Sequence, residues 1–132
     1  MIKRDIILRW TQELAKVTSK LLGKETEEAL DIIDDTLLIQ LALDPSQLAR
    51  LTQEELLHML AHEQQLSLPQ IEFVGSLFYE RAILMQAIKE RSEWNPYFAK
   101  AYILLNYVQN NADIYSLDRQ QKLKRIQTFL QS

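Results

Sequence analysis

The chain has 132 residues, with two glycines, three prolines, no cysteine and a formal net charge of −3. Its length is that of one domain, and by the surface scaling of folded proteins such a chain buries roughly 68–70% of its unfolded surface, enough for a core without disulfides or structural metal. Lack of cysteine excludes disulfide frameworks, cysteine-based zinc sites, iron–sulfur clusters and thiol catalysis, and it suits a reducing cytoplasm. Scarce glycine and proline argue against turn-dense β folds and phosphate-cradling loops, so an all-α fold is expected.

The charge is segregated along the chain. Residues 1–24 carry six basic and two acidic groups, residues 25–63 one basic and ten acidic, and residues 64–132 eight basic and six acidic. Helices of opposite sign packed side by side account for such a pattern. A sequence pI near 5.4 is a poor match for nucleic acid, although Arg119, Lys122, Lys124 and Arg125 gather on the last segment, read here as a solvated helix. Asp5 and Arg9 interrupt any apolar signal-like stretch, so the start reads as mature sequence. No apolar run approaches the ~18 residues of a membrane span. A cytoplasmic protein is the expectation.

In chain order, Ile2, Ile6, Trp10, Leu14, Val17 and Leu21 recur every three or four residues, the stripe of an amphipathic helix. Gly23 is placed to end it in the left-handed conformation. From about Glu25 to Leu43, Leu30, Ile33, Leu37 and Leu41 form one face and Ile32, Ile39 and Leu43 a second. Glu27, Glu28, Asp31, Asp34 and Asp35 fill the remaining arc. The short connection makes residues 1–43 an antiparallel hairpin.

Residues 44–66 form the connecting region. Asp44-Pro45-Ser46-Gln47 opens a short helix, and Thr52-x-x-Glu55, between Leu51 and Leu56, is a capping box with a hydrophobic staple for a helix ending near Gln64. In residues 67–132, Pro69 to about Arg91 reads as the longest helix, apolar over more than half its circumference. Asn95-Pro96 is taken to open the next helix and Asn110-Asn111 to close it. Ser116 caps the last helix, where Leu123, Ile126 and Leu130 form the expected buried stripe. The expectation is about five long helices plus one short one, in a single domain.

Glu27 to Leu37, with Ala29, Ile33 and Thr36 at packing positions, resembles the second helix of a tetratricopeptide repeat (TPR). Val74-Gly75-x-x-Phe78 resembles the first helix of such a repeat. The opening Arg4-Asp5-x-Ile7-Leu8-Arg9, the Glu-Glu-Ala-Leu-Asp helix and the Leu-Thr-x-Glu-Glu-Leu box together are similar to a bacterial family of small uncharacterised helical proteins related to those repeats. The resemblance covers the first 65 residues or so closely and the rest loosely. It implies a TPR-like right-handed superhelix of hairpins and attaches no activity.

Three groups of residues could carry chemistry. His58 and His62, four apart with Glu55 three before, could offer ligands to a divalent metal, but E-x-x-H needs a second copy and inward carboxylates to build a di-metal centre. Apolar Leu56, Leu57, Leu60 and Ala61 define the opposite face, so the histidines read as solvated. The acidic strip reads as a solvated helix face. Trp94, Tyr97 and Phe98, read as an aromatic turn between helices, are the candidate partner-binding residues.

The expected function is therefore non-enzymatic, without cofactor or catalytic residue: a TPR-like module binding another protein or peptide, with neither nucleic acid nor membrane as partner. The alternative is a metal-binding helical bundle using His58, His62 and Glu55. A homodimer through the apolar surplus of residues 69–108 is a third possibility.

Overall fold

The computed structural model describes residues 2–131, with side chains from Arg4 onward. Among these residues there are seven α-helices and no strand: α1 Ile2–Leu21, α2 Thr26–Leu41, α3 Pro45–Arg50, α4 Gln53–His58, α5 Leu68–Met85, α6 Arg91–Asn111 and α7 Leu117–Gln131. Five are long and two short, where one short helix is expected, because α4 keeps its α-helical form only to His58. It runs on into a π-helical turn, Met59–Glu63, where the Gln64 N–H reaches back to the Met59 carbonyl at 2.8 Å. The stripe residue Ile2 lies outside the described side chains.

Local sequence explains most of the joints. Gly23 ends the first hairpin turn at φ 74°, a conformation that costs glycine little. Thr52 Oγ1 accepts from the Glu55 N–H at 3.1 Å while Glu55 accepts from the Thr52 N–H at 2.8 Å, so the capping box is made. Ser67 and Gln70 make a second box at the start of α5. Two helix ends are less expected. Ala42 and Gln65 take left-handed φ values of 54° and 52°, stopping α2 and the π-turn without glycine.

Helix α5 is the axis of the molecule. Ten consecutive or near-consecutive positions from Ile71 to Met85 are buried, including Phe73, Ser76 and Tyr79. Trp10 of α1 meets Phe73 edge-on at 5.1 Å, and Phe78 and Tyr79 meet Tyr97 and Phe98 of α6. Gly75 lies against Leu104 and Leu105 whereas Phe78, one turn further along α5, meets Tyr97, so the two run antiparallel. Their crossing is closest at Gly75, where an added Cβ would stand 3.1 Å from Leu104 Cβ. The apolar surplus of this hairpin is thus largely consumed by other helices of the same chain.

Two boundaries differ from expectation. Helix α5 stops at Met85, six residues early, in a tightened turn where the Ile88 and Lys89 N–H groups both close on the Met85 carbonyl. Helix α6 then starts at Arg91 rather than at Pro96, which lies in its second turn. The Glu90 N–H donates to the Glu93 carboxylate at 3.4 Å, and Phe98 is sealed against Trp94, Tyr79 and Phe129. These contacts outweigh the hydrogen bond that Pro96 cannot make. The segment 94–98 is helix, not turn.

Helix α7 corrects another expectation. Its buried positions include Arg119 and Lys122 along with Ile126, whereas Leu123 and Leu130 are only partly covered. Arg119, Lys122 and Arg125 reach Glu72, Ser76 and Tyr79 of α5 in the same order, so α5 and α7 run parallel and are joined by a polar ladder. No described helix is long and apolar enough to cross a membrane.

Candidate functional site

A cleft of about 220 Å³ opens where α2, α3, α5 and α6 converge. Its apolar walls are Leu37, Pro45, Ala49 and Phe78, and its polar groups are Asp34, Ser46, Arg81 and Tyr97.

The wall supplied by α3 depends on support from elsewhere, because six residues cannot hold a helix by propensity alone. Asp44 accepts from the Ser46 N–H at 3.0 Å, Pro45 presets the first turn, and Leu48 is fully buried. At the other end the Lys100 ammonium donates to the Leu48 and Ala49 carbonyls at 3.3 and 2.8 Å. Those carbonyls are the negative end of α3, so a cation there caps the helix and fixes the cleft wall. Burial holds Lys100 below its ordinary pKa.

The floor is electrostatically paired. Arg81 donates through Nη2 to Asp34 and lies 5.3 Å from the Tyr97 ring centroid. The Lys100 ammonium lies 5.5 Å from that same centroid. Phe78 packs against Tyr97 at 5.7 Å. Burial pushes Arg81 below its usual pKa, with Tyr97 and Asp31 acting in the opposite sense. Tyr97 is therefore a half-buried ring held by two cations and one aromatic neighbour, a rigid surface rather than a mobile side chain.

The three aromatic candidates are divided by this geometry. Tyr97 lines the cleft. Phe98 is fully buried and stacks on Phe129 at 4.7 Å, and Trp94, partly buried, meets Phe98 edge-on and carries the Arg91 guanidinium at 5.7 Å. They contribute to the core that positions Tyr97. The sequence singles out neither Arg81 nor Ala49, and it places Asp34 only in a solvated strip, because the cleft comes from helices brought together only by folding. The one hint was that Asp34 sits in an acidic strip with no basic neighbour nearby in sequence.

The histidines are exposed neighbours, with ring centroids 5.1 Å apart. Glu63 stands 4.0 Å from His58, and the Glu55 carboxylate is turned back onto the Thr52 backbone, which holds its pKa below the usual value. Glu55 is thus committed to its helix cap. Among the described residues no group of three or more His, Cys, Asp or Glu side chains is arranged to hold a metal ion.

Taken together, these features define an all-α protein with an amphiphilic cleft where four of its helices meet. No protein-family model, curated protein or solved structure matches the chain.

Proposed function

We propose that this chain is a non-enzymatic protein-interaction module, TPR-like in its arrangement of hairpins, that seats one side chain of a partner protein in the cleft between α2, α3, α5 and α6. The observation that carries the reading is the size and lining of the cleft. Its volume of about 220 Å³ falls below the roughly 300–1,000 Å³ of pockets for drug-sized ligands and cofactors. One anchoring side chain fits that space, and interfaces concentrate their energy in such anchors. Leu37, Pro45 and Phe78 receive an apolar body while Ser46, Asp34 and Arg81 at the same cleft offer hydrogen bonds.

The TPR-like reading is supported by helix direction: α5 and α7 run parallel and α6 runs antiparallel to α5, with a glycine at the α5–α6 crossing. The test is selection of a displayed peptide library against the whole protein, followed by measurement of each selected peptide on Ala49→Trp, which fills the cleft from the exposed side of α3. Peptides sharing one anchor residue, and losing at least tenfold in affinity on a variant with unchanged circular dichroism, support the proposal. Peptides that bind both proteins equally overturn it.

A further inference from the structure

The polar part of the cleft is a pair of opposite charges whose hydrogen-bonding capacity is only partly used. Arg81 commits Nη2 to Asp34 Oδ1. Among the described residues, Nε and Nη1 of Arg81 and the second carboxylate oxygen of Asp34 have no hydrogen-bond partner, and none of these atoms is sealed from solvent. A guanidinium carries N–H donors on every nitrogen, and a carboxylate accepts at both oxygens. The two side chains are 13% and 36% exposed, and both border the cleft. A group entering there meets a free donor beside a free acceptor.

Charge selects what can enter. A carboxylate gains Arg81 but lies against Asp34, whereas a cation gains Asp34 but lies against Arg81, with the Lys100 ammonium 5.5 Å from the Tyr97 ring. Either would carry its own desolvation cost into a site whose charges already cancel. A neutral group that both donates and accepts takes both partners at once, as hydroxyls and carboxamides do.

The walls decide between these. Leu37 and Phe78 are buried, Pro45 is half-buried, and the Phe78 and Tyr97 rings stand 5.7 Å apart at 31°. Aromatic side chains pack on such carbon surfaces in offset or edge-on contacts. A carboxamide or a small hydroxyl residue leaves these walls uncovered. Phenylalanine covers them and strands the free groups of Arg81 and Asp34, and the indole of tryptophan donates but offers Arg81 no acceptor. Tyrosine joins the two requirements.

We infer that the cleft is specific for a tyrosine side chain of the partner protein, its ring against Pro45, Phe78 and Tyr97 and its hydroxyl accepting from Arg81 while donating to Asp34. The inference rests on the proposed role of the cleft as an anchor site and adds which residue is anchored.

The probes are library peptides, selected on the whole protein, that lose affinity on Ala49→Trp. Each is resynthesised with its anchor as tyrosine, phenylalanine, glutamate or lysine. The tyrosine form should bind about tenfold or more tighter than the phenylalanine form, the scale of hydrogen bonds to charged groups, and tighter than either charged form. Asp34→Ala puts a good helix former on α2 and leaves Arg81 unopposed. On that variant the glutamate form should gain about tenfold relative to the tyrosine form, whereas a merely structural Asp34 would weaken all four peptides alike. If circular dichroism shows Asp34→Ala unfolded, the four peptides on the natural chain decide alone. A selected anchor other than tyrosine, a phenylalanine form as tight as the tyrosine form, or an order of affinities that Asp34→Ala leaves unchanged overturns the inference and leaves the anchor site standing. Peptides that all bind Ala49→Trp as tightly as the natural chain overturn both.

Discussion

Arg119 of α7 donates through Nη1 to both carboxylate oxygens of Glu72 on α5, at 3.1 and 3.0 Å, across a sequence separation of 47 residues. Its remaining donors meet the Gln109 side chain and the Ile114 carbonyl at 2.8 and 2.9 Å. A guanidinium buried to this degree is tolerable because so many of its donors are satisfied. Arg119→Ala leaves Glu72 and Gln109 facing an unfilled space, and about 3 kcal/mol of stability should be lost in urea denaturation. Arg119→Lys keeps the charge but not the planar fork, and an intermediate loss is expected.

Gly75 tests the α5–α6 crossing. Alanine would gain about 1 kcal/mol of helix propensity, but its Cβ would stand 3.1 Å from Leu104 Cβ, an atom fixed to the α6 backbone. Overpacking of this kind costs about 1–3 kcal/mol. Gly75→Ala should therefore lower stability by about 1 kcal/mol net, with the midpoint of thermal unfolding as the readout. A rise would mean that the helices can separate at no cost.

Ala42 predicts the opposite sign. It closes α2 at φ 54° with its N–H on the Leu38 carbonyl, and it is exposed, so its methyl contributes little packing. Left-handed backbone costs a non-glycine residue roughly 1–2 kcal/mol. Ala42→Gly should raise the melting temperature by a few degrees, because relief of that strain exceeds the entropy glycine adds to the unfolded chain.

Glu80 gives a pH signature. Desolvation is the largest influence on its carboxyl and raises its pKa, with Lys122 opposing and Asp118 reinforcing. The ionised form is therefore disfavoured in the fold. Its penalty is absent below the ordinary glutamate range near 4.5, grows as pH rises through the elevated folded pKa, and is complete above it. Glu80→Gln should stabilise the protein at pH 7 and make no difference at pH 3, measured as the change in urea midpoint against pH.

How much of this was legible depended on the reach of each interaction. The Gly23 stop, the Thr52–Glu55 box and the Asp44-Pro45 start involve residues within four positions of each other, and the structure has them where the sequence places them. Arg119 and Lys122 look like a solvated basic face because their partners Glu72 and Ser76 lie on another helix. Pro96 looked like a helix start because the residue before a proline disfavours helix. The burial of Phe98 among Tyr79, Trp94 and Phe129 overrode that preference. The cleft, built from four helices, had only Tyr97 visible in advance.

The central claim, that the cleft receives a partner's side chain, is tested most directly by mapping amide chemical shifts on the ¹⁵N-labelled protein as a selected peptide is added. The account predicts that the largest changes fall on Leu37, Ser46, Ala49 and Tyr97 and vanish in Ala49→Trp. Changes centred instead on exposed Ile114, Tyr115 and Leu117, at the α6–α7 corner, would contradict it.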